Sequence, residues 1–412
     1  MRLREMSDKR TGTALPKRVL FILQYFYPDV TGFSQMLGDL TQYLAATGRY
    51  ECTVLSGSTV RTTKQWSHLP DRLGDVRIRR IRTLSTGKRT LLHRLFEYSA
   101  FYVGVAFTLL LRRNYDAVVC FSTPPLIGFA AAAGLALSRI PFVYYVQDLY
   151  PELLYDMGYL RDPWLIRKLA LLNQLILRRA NRVVTIGKWM ARKIERNYGL
   201  RRASLPVVTN WAMNVSYRPP SAEGPFVVLY TGNIGLAHDF SILPELLERL
   251  SEKHVENVEF RFVGSGRQFS SVERFFVRHN HCRSSFTGYV DRQELDPLLA
   301  EAHLFLVAQS ERTVGDIFPS KFYGYLAAGR PLLFLGTRKS EIGETIVAND
   351  IGAVVECAED ADAAADLICR YARRESDYQT ACLRAAKLYG EHLGFERSAA
   401  KFDSILTEAL KS

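Results

Sequence analysis

The sequence predicts an α/β chain of two doubly wound domains, each a parallel sheet covered by helices on both faces. Three observations predict it. The chain has 412 residues, beyond the roughly 250–300 at which one hydrophobic core stops growing. Short apolar, β-rich runs alternate with helical patterns, as strands buried on both faces require. The alternation breaks once, at the Pro-, Ser- and Gly-rich stretch Tyr217–Pro225, and then restarts. With 48% hydrophobic and 23% charged residues, the chain can fill two cores, which excludes fibrous and disordered classes.

In the first domain, expected over 17–216, Arg18–Phe26 reads as a buried strand and Pro28–Ser34 as a loop. Gln35–Thr47 reads as a helix stopped by Gly48. Strands are expected at Glu51–Ser56, Asp116–Phe121, Phe142–Val146, Arg182–Ile186 and Pro206–Thr209, with an Ala-rich helix at Gly128–Leu137. Residues 1–16 read as an arm and 217–225 as a linker. In the second domain, 226–395, the strands are Phe226–Tyr230, Val258–Val263, Leu304–Ala308, Pro331–Leu335 and Ala353–Val355, with a helix at Phe240–Lys253 and a further helix, strand and helix before Leu304. Residues 360–412 read as terminal helices, the last of them (396–412) packing back towards the first domain. Two such sheets are expected to face an interdomain cleft with their carboxyl ends, where open α/β sheets bind ligands.

The formal charge of +12 points to a polyanionic partner: nucleic acid, anionic lipid or a phosphorylated ligand. No nucleic-acid recognition module is visible, so lipid and phosphate are the expected partners. Cys52, Cys120, Cys282, Cys357, Cys369 and Cys382 form no CxxC and read as reduced cytosolic thiols. The histidines show no HExxH, and Asp360-Ala361-Asp362 sits at a helix start, where acids suit the dipole. Neither a metal nor a cofactor is expected. The apolar run Tyr98–Leu111 falls short of the ~20 residues that span a bilayer. Val19–Phe26 is too short for a secretory leader. Leu95–Leu111 lies between basic Lys88–Arg94 and Arg112-Arg113. It suits an interfacial helix on anionic lipid and a core helix equally. The expected location is cytoplasmic, peripheral on the inner face of the plasma membrane.

The most informative stretch is Glu311–Leu333. Pro319 and Ser320 open a helix that Gly329 stops. Lys321 therefore adds a full charge to a helix N-terminus, a good site for a diphosphate. After the first strand, Gly32 would let backbone approach a ligand. Phe142–Leu154 is a strand running into an acidic loop with Asp148 and Glu152 at its rim, Asp148 being alternatively a helix cap. Leu229–Asp239 ends a strand with Gly232-Asn233-Ile234-Gly235. Val263–Arg267 is a partial dinucleotide fingerprint with Phe269 in the third glycine position, and reads as a strand-end turn.

These segments together resemble the retaining glycosyltransferases of GT-B architecture, the family 4-like group, over about residues 17–400. That family carries two glutamates separated by seven residues before a small-residue stretch ending Gly-x-Pro. Matching Ala328-Gly329-Arg330-Pro331 to that ending puts the first acid at Asp316 and the second at Gly324. The Pro-Ser-Lys form with Gly324, and the Asp-Leu-aromatic-Pro-Glu run at Asp148–Glu152, resemble a branch that transfers fucosyl and amino-deoxyhexosyl groups in surface-polysaccharide and O-antigen synthesis. The resemblance implies a nucleotide-diphospho-sugar donor held by Gly32, Gly232, Asn233, Gly235, Pro319, Ser320 and Lys321. It implies a base-reading loop at Gly288-Tyr289-Val290, and Lys321, Asp316 and Asp148 in catalysis. Asp148 and Glu152 would stand on the acceptor side, facing a lipid-linked or other saccharide. Many relatives have a His before the Asp, where this chain has Gln147. A nucleotide-sugar 2-epimerase of the same fold and a non-catalytic assembly partner are the competing readings.

Overall fold

The computed structural model describes residues 15–411 except 30, 59–68, 84–90, 213, 214, 216, 222, 256 and 291. Most of the expected arm at 1–16, and residues 88–90 of the basic segment, lie outside the described residues. The chain forms two compact units, Met1–Thr209 with Ser398–Ser412, and Asn210–Arg397.

Unit 1 holds β1 (Lys17–Ile22), β2 (Tyr50–Gly57), β3 (Arg72–Leu73), β4 (Val76–Ile81), β5 (Ala117–Phe121), β6 (Phe142–Val146) and β7 (Arg182–Thr185). Its helices are α1 (Gly32–Ala46), α2 (Leu91–Leu111), α3 (Ile127–Gly134), α4 (Glu152–Asp156), α5 (Pro163–Arg179) and α6 (Lys188–Tyr198). The strand order is β3-β4-β2-β1-β5-β6-β7, and β3 alone runs antiparallel to its neighbour. Every residue of β5 and β6 is buried, as central strands covered on both faces must be.

Unit 2 holds β8 (Phe226–Asn233), α7 (Leu243–Glu252), β9 (Val258–Ser265), α8 (Phe269–Arg278), β10 (Arg283–Thr287), α9 (Arg292–Glu301), β11 (Leu304–Ala308), α10 (Lys321–Ala327), β12 (Leu332–Leu335), α11 (Glu341–Asn349), β13 (Gly352–Val355), α12 (Ala358–Ala372) and α13 (Ser376–Leu388). Its all-parallel sheet runs β10-β9-β8-β11-β12-β13. Both sheets thus reverse their strand order beside the first strand, between β1 and β5 and between β8 and β11. Ligands of open α/β sheets bind at that point, beyond the carboxyl ends. The last helix, α14 (Phe395–Ala409), returns to unit 1. There Phe402 stacks on Tyr145 at 5.5 Å, and Asp403 accepts from Arg49 and from Tyr50 Oη.

Three sequence expectations are corrected. Pro206–Thr209 makes only an isolated bridge, Thr185 to Val207, because a proline has no N–H for a ladder. Helix α1 begins at Gly32, three residues before the expected Gln35. Asp29 Oδ1 takes the Thr31 N–H at 2.8 Å and Ser34 Oγ donates to Asp29 O, so the chain turns into the helix early. Finally, β3 and β4 fall between Ser56 and Asp116, where the sequence suggests no strand.

One buried histidine makes unit 2 sensitive to acid. His303 is 2% exposed, takes the Val227 N–H on Nδ1 at 3.1 Å and faces Ser221 O with Nε2 at 3.0 Å. Burial lowers its pKa to about 4. The unfolded chain protonates this ring near 6.5. The stability contributed by the neutral ring is therefore complete above pH 6.5 and is lost as pH falls towards 4. Thermal melts should fall across that window, and His303→Gln should flatten the fall.

Candidate active site

Among the residues singled out in unit 2, Lys321 and Gly232 meet beside β8. Helix α10 is fixed first. Tyr325 stacks on Phe305 of β11 with ring centroids 4.0 Å apart. Its hydroxyl accepts the Thr231 N–H at 2.8 Å and lies 3.1 Å from Thr231 Oγ1 on β8. Lys321 lies four residues earlier, hence on the same helix face. Its ammonium sits 3.6 Å from the centroid of the Tyr230 ring, close enough that a Cβ on Gly232 would stand 3.7 Å from Nζ.

This ammonium is enclosed by its own unit. Nζ is buried and meets no hydrogen-bond partner among the described residues. Burial pushes its pKa well below the usual lysine value. A buried ammonium with unmet donors costs several kcal/mol, and the Tyr230 face offsets about 2 kcal/mol of that when desolvated. The remaining deficit is one that an anion would remove. The helix itself adds little, since α10 has only seven residues; the side chain, more than the dipole, supplies the positive field.

The loop around Nζ is tightly specified. Gly232 has φ +106°, a region closed to other residues. Asn233 is exposed. Gly235 N–H donates to His238 Nδ1 at 3.2 Å, and Gln268 Nε2 bonds both Gly235 O and His238 O. Burial, then the nearby Lys321, lowers the His238 pKa to about 3, so this ring stays neutral. The reading of Val263–Arg267 as a strand-end turn missed its tightness. A Cβ on Gly264 would lie 2.1 Å from Gly232 O, and one on Gly266 2.5 Å from Ile234 O. Gly264→Ala should therefore cost at least about 3 kcal/mol by steric and backbone strain, read as a lower urea midpoint.

The other unit 2 candidates divide. Asp316 is fully buried in the loop after β11. That loop is pinned to the glycine turn by Ser310 N–H to Ala237 O at 2.8 Å and by Thr313 Oγ1 to Ala237 O at 3.4 Å. Pro319 is buried and Ser320 is exposed; Ser320 makes no side-chain cap. Tyr289 is 66% exposed, and its hydroxyl is among the groups acting on Tyr230. Gly288 has open space where a side chain would be, while Val290 packs on the core. Among the described residues, a Cβ on Gly324, in the second-acid position, would have only Val215 within 4 Å, at 3.9 Å. Asp360 accepts from the Glu356 and Cys357 amides and from Arg338, and Asp362 pairs with Lys253 at 2.9 Å. Both acids of the Asp-x-Asp triplet are thus engaged in contacts within unit 2.

In unit 1 the candidates lie at the carboxyl edge of the sheet or beside it. Gly32 opens α1, and a Cβ there would meet nothing within 4 Å among the described residues. Asp148 does not cap α4; its backbone N–H and that of Gln147 both donate to Ser122 Oγ at 3.0 Å. One carboxyl oxygen has only Tyr150 Oη at 3.4 Å and the other is buried with no hydrogen-bond partner among the described residues. Burial lifts its pKa to about 7, so it can give or take a proton near neutrality. Glu152 accepts from Asn197 Nδ2 at 3.1 Å, which ties α4 to α6. Sequence reasoning missed Tyr230, His238 and Tyr325, ordinary core types by pattern, although their roles follow once Lys321 is placed.

Comparison with known proteins agrees with this architecture. Residues 31–211 match the family described as the glycosyl transferase 4-like domain, and residues 225–374 match glycosyl transferases group 1. A Pseudomonas aeruginosa protein named probable glycosyltransferase WbjE is 27% identical over 267 residues, 62% of this chain and 66% of that one. The Escherichia coli K12 protein WcaI, named for a glycosyl transferase of colanic acid biosynthesis, is 22% identical over 77% of this chain and 83% of its own. The fold is that of the Anabaena protein HepE solved with UDP, at TM-score 0.65 and 12% identity over 95% of this chain and all of that one.

Proposed function

We infer the reaction from the premise those matches supply: the chain belongs to the glycosyltransferases, a 4-like domain followed by a group 1 domain on a GT-B frame. The proposed donor is a nucleotide-diphospho-sugar bound by unit 2. The proposed acceptor is a lipid-linked saccharide in cell-surface polysaccharide synthesis, met at the inner face of the plasma membrane. The relative named for colanic acid biosynthesis supports the pathway class, and the neighbour solved with UDP supports the donor class.

The buried Nζ of Lys321, with no hydrogen-bond partner among the described residues and set against Gly232 at the switch point, carries the reading. A diphosphate there would satisfy its donors and be stabilised as it leaves. Transfer is proposed to retain the anomeric configuration and to need no metal, with Lys321 taking the role a cation has elsewhere. Gly232, Asn233 and Gly235 would present backbone to the phosphates, with Pro319 and Ser320 flanking them, and Gly32 is proposed as a further donor contact. Gly288, Tyr289 and Val290 would read the base. Asp316 would lie by the donor sugar, and Asp148 and Glu152 on the acceptor side.

The test is a panel of UDP-, GDP- and dTDP-sugars, with EDTA present, offered with and without a polyprenyl-diphosphate saccharide. One donor should release its nucleoside diphosphate and give a product with that donor's own anomeric configuration. No turnover and no thermal shift with any donor would sink the reading. An isomerised sugar formed without acceptor would replace it with the epimerase.

A further inference from the structure

Helices α2, α3 and α5 form one layer on unit 1, α3 packing against both of the others. The inner side of α2 is ordinary core: Phe101, Val105 and Leu109 are fully buried. Its outer side is not polar, as a solvated helix face would be. Val103, Phe107 and Leu111 are 61–69% exposed, and on α5 Trp164, Leu171 and Leu175 are 50–67% exposed. On α5 these positions fall at i, i+7 and i+11, a single stripe. Contiguous apolar patches of this kind mark contact surfaces.

Cations accompany both stripes. Arg112 and Arg113 close α2 and are exposed. Lys168 stands on the α5 stripe, 5.4 Å from the Trp164 ring, and Arg178 continues it one turn on. Carboxylates are scarce in the same stretch: Pro163–Arg179 carries none. Apolar side chains with long cationic ones between them, and no carboxylate on α5, are the chemistry of an anionic lipid interface. No helix among the described residues is long and apolar enough to cross a membrane, so the contact lies along the surface.

We propose that the outer faces of α2 and α5 together dock unit 1 on an anionic bilayer, with α2 and α5 lying in the headgroup plane. The docked layer is coupled to the sheet edge, because Glu97 of α2 accepts from Gln24 Nε2 at 3.1 Å and Tyr25 Oη at 3.0 Å, just past the end of β1. A saccharide on a lipid would then be presented beside that edge. This consequence rests on the acceptor reading above; the docking does not.

The experiment is co-sedimentation of the full chain with vesicles of about one-third phosphatidylglycerol in phosphatidylcholine. The wild type should bind, and retain part of its binding at about 1 M salt, where charges are screened beyond about 3 Å. The quadruple variant Val103→Ser, Phe107→Ser, Leu171→Ser, Leu175→Ser should lose at least about tenfold in partitioning at both salt levels. Its melting temperature should hold, because these side chains are exposed already. Arg112→Glu with Arg113→Glu, which touches no core contact, should lose about tenfold only at low salt. Wild-type partitioning by both variants would overturn the proposal. So would a chain that ignores vesicles but self-associates in sedimentation velocity through this face. Donor hydrolysis in solution should be unchanged throughout, which separates failure of docking from failure of the enzymatic reading.

Discussion

Replacing Lys321 with methionine is expected to cut donor turnover by about 10²–10³-fold while leaving the melting temperature equal or higher. The first half follows from losing a preorganised charge opposite a leaving diphosphate. The second follows from burial: Nζ has no hydrogen-bond partner among the described residues, and an apolar isostere of the stem removes that cost while still covering Tyr230. Activity and stability should therefore move in opposite directions. The pH sign is fixed too. Burial depresses the lysine pKa and a bound diphosphate would raise it, so donor binding should take up a proton and weaken as pH rises. Calorimetry in buffers of different ionisation enthalpy reads the uptake. A methionine variant with full turnover removes Lys321 from the mechanism.

Arg330 should show the opposite behaviour: Arg330→Met is expected to destabilise unit 2 by about 3–5 kcal/mol. Arg330 is wholly buried, and carbonyls rather than carboxylates surround its guanidinium. It donates to those of Ala302 at 2.7 Å, Ala328 at 2.7 Å, Arg218 at 2.8 Å and Ala300 at 3.2 Å. These carbonyls close α9 and α10 and hold the chain entering β8, so the cation serves the negative ends of two helices. Its removal would leave several buried acceptors unmet. Arg330→Lys should recover only part of the loss, since an ammonium lacks the planar fork. Urea unfolding measures both, and a loss below about 1 kcal/mol for the methionine variant would show the carbonyls finding other partners.

The two variants also mark what was legible in the sequence. Strands such as Phe142–Val146 could be read directly because apolar runs have few other uses between helices. The parallel sheets followed from their alternation, whereas the strand order that sets the switch point came only with the fold. Strand β4, Val76–Ile81, could not be read this way. Arg77 pairs across to Glu51 at 3.2 Å and Arg80 bonds Ser56 and Gly57, contacts that only the fold creates, and the charge of β4 hid a half-buried strand. Lys321 could be placed on its helix but not in its burial, which depends on Tyr230 arriving from β8. Arg330 stood only as the unnamed middle of Gly-x-Pro. The tight glycines 264 and 266 needed the facing loop before their necessity showed.

The return of α14 to unit 1 bears on how the molecule is made. Tyr145 and Tyr50 reach their partners Phe402 and Asp403 only after the whole of Asn210–Arg397 has emerged from the ribosome. At about 5–20 residues per second that is an interval of roughly 10–40 s. During it the first sheet carries an uncovered aromatic seam, a natural target for a nascent-chain chaperone, and a premature stop anywhere downstream would leave that seam open for good.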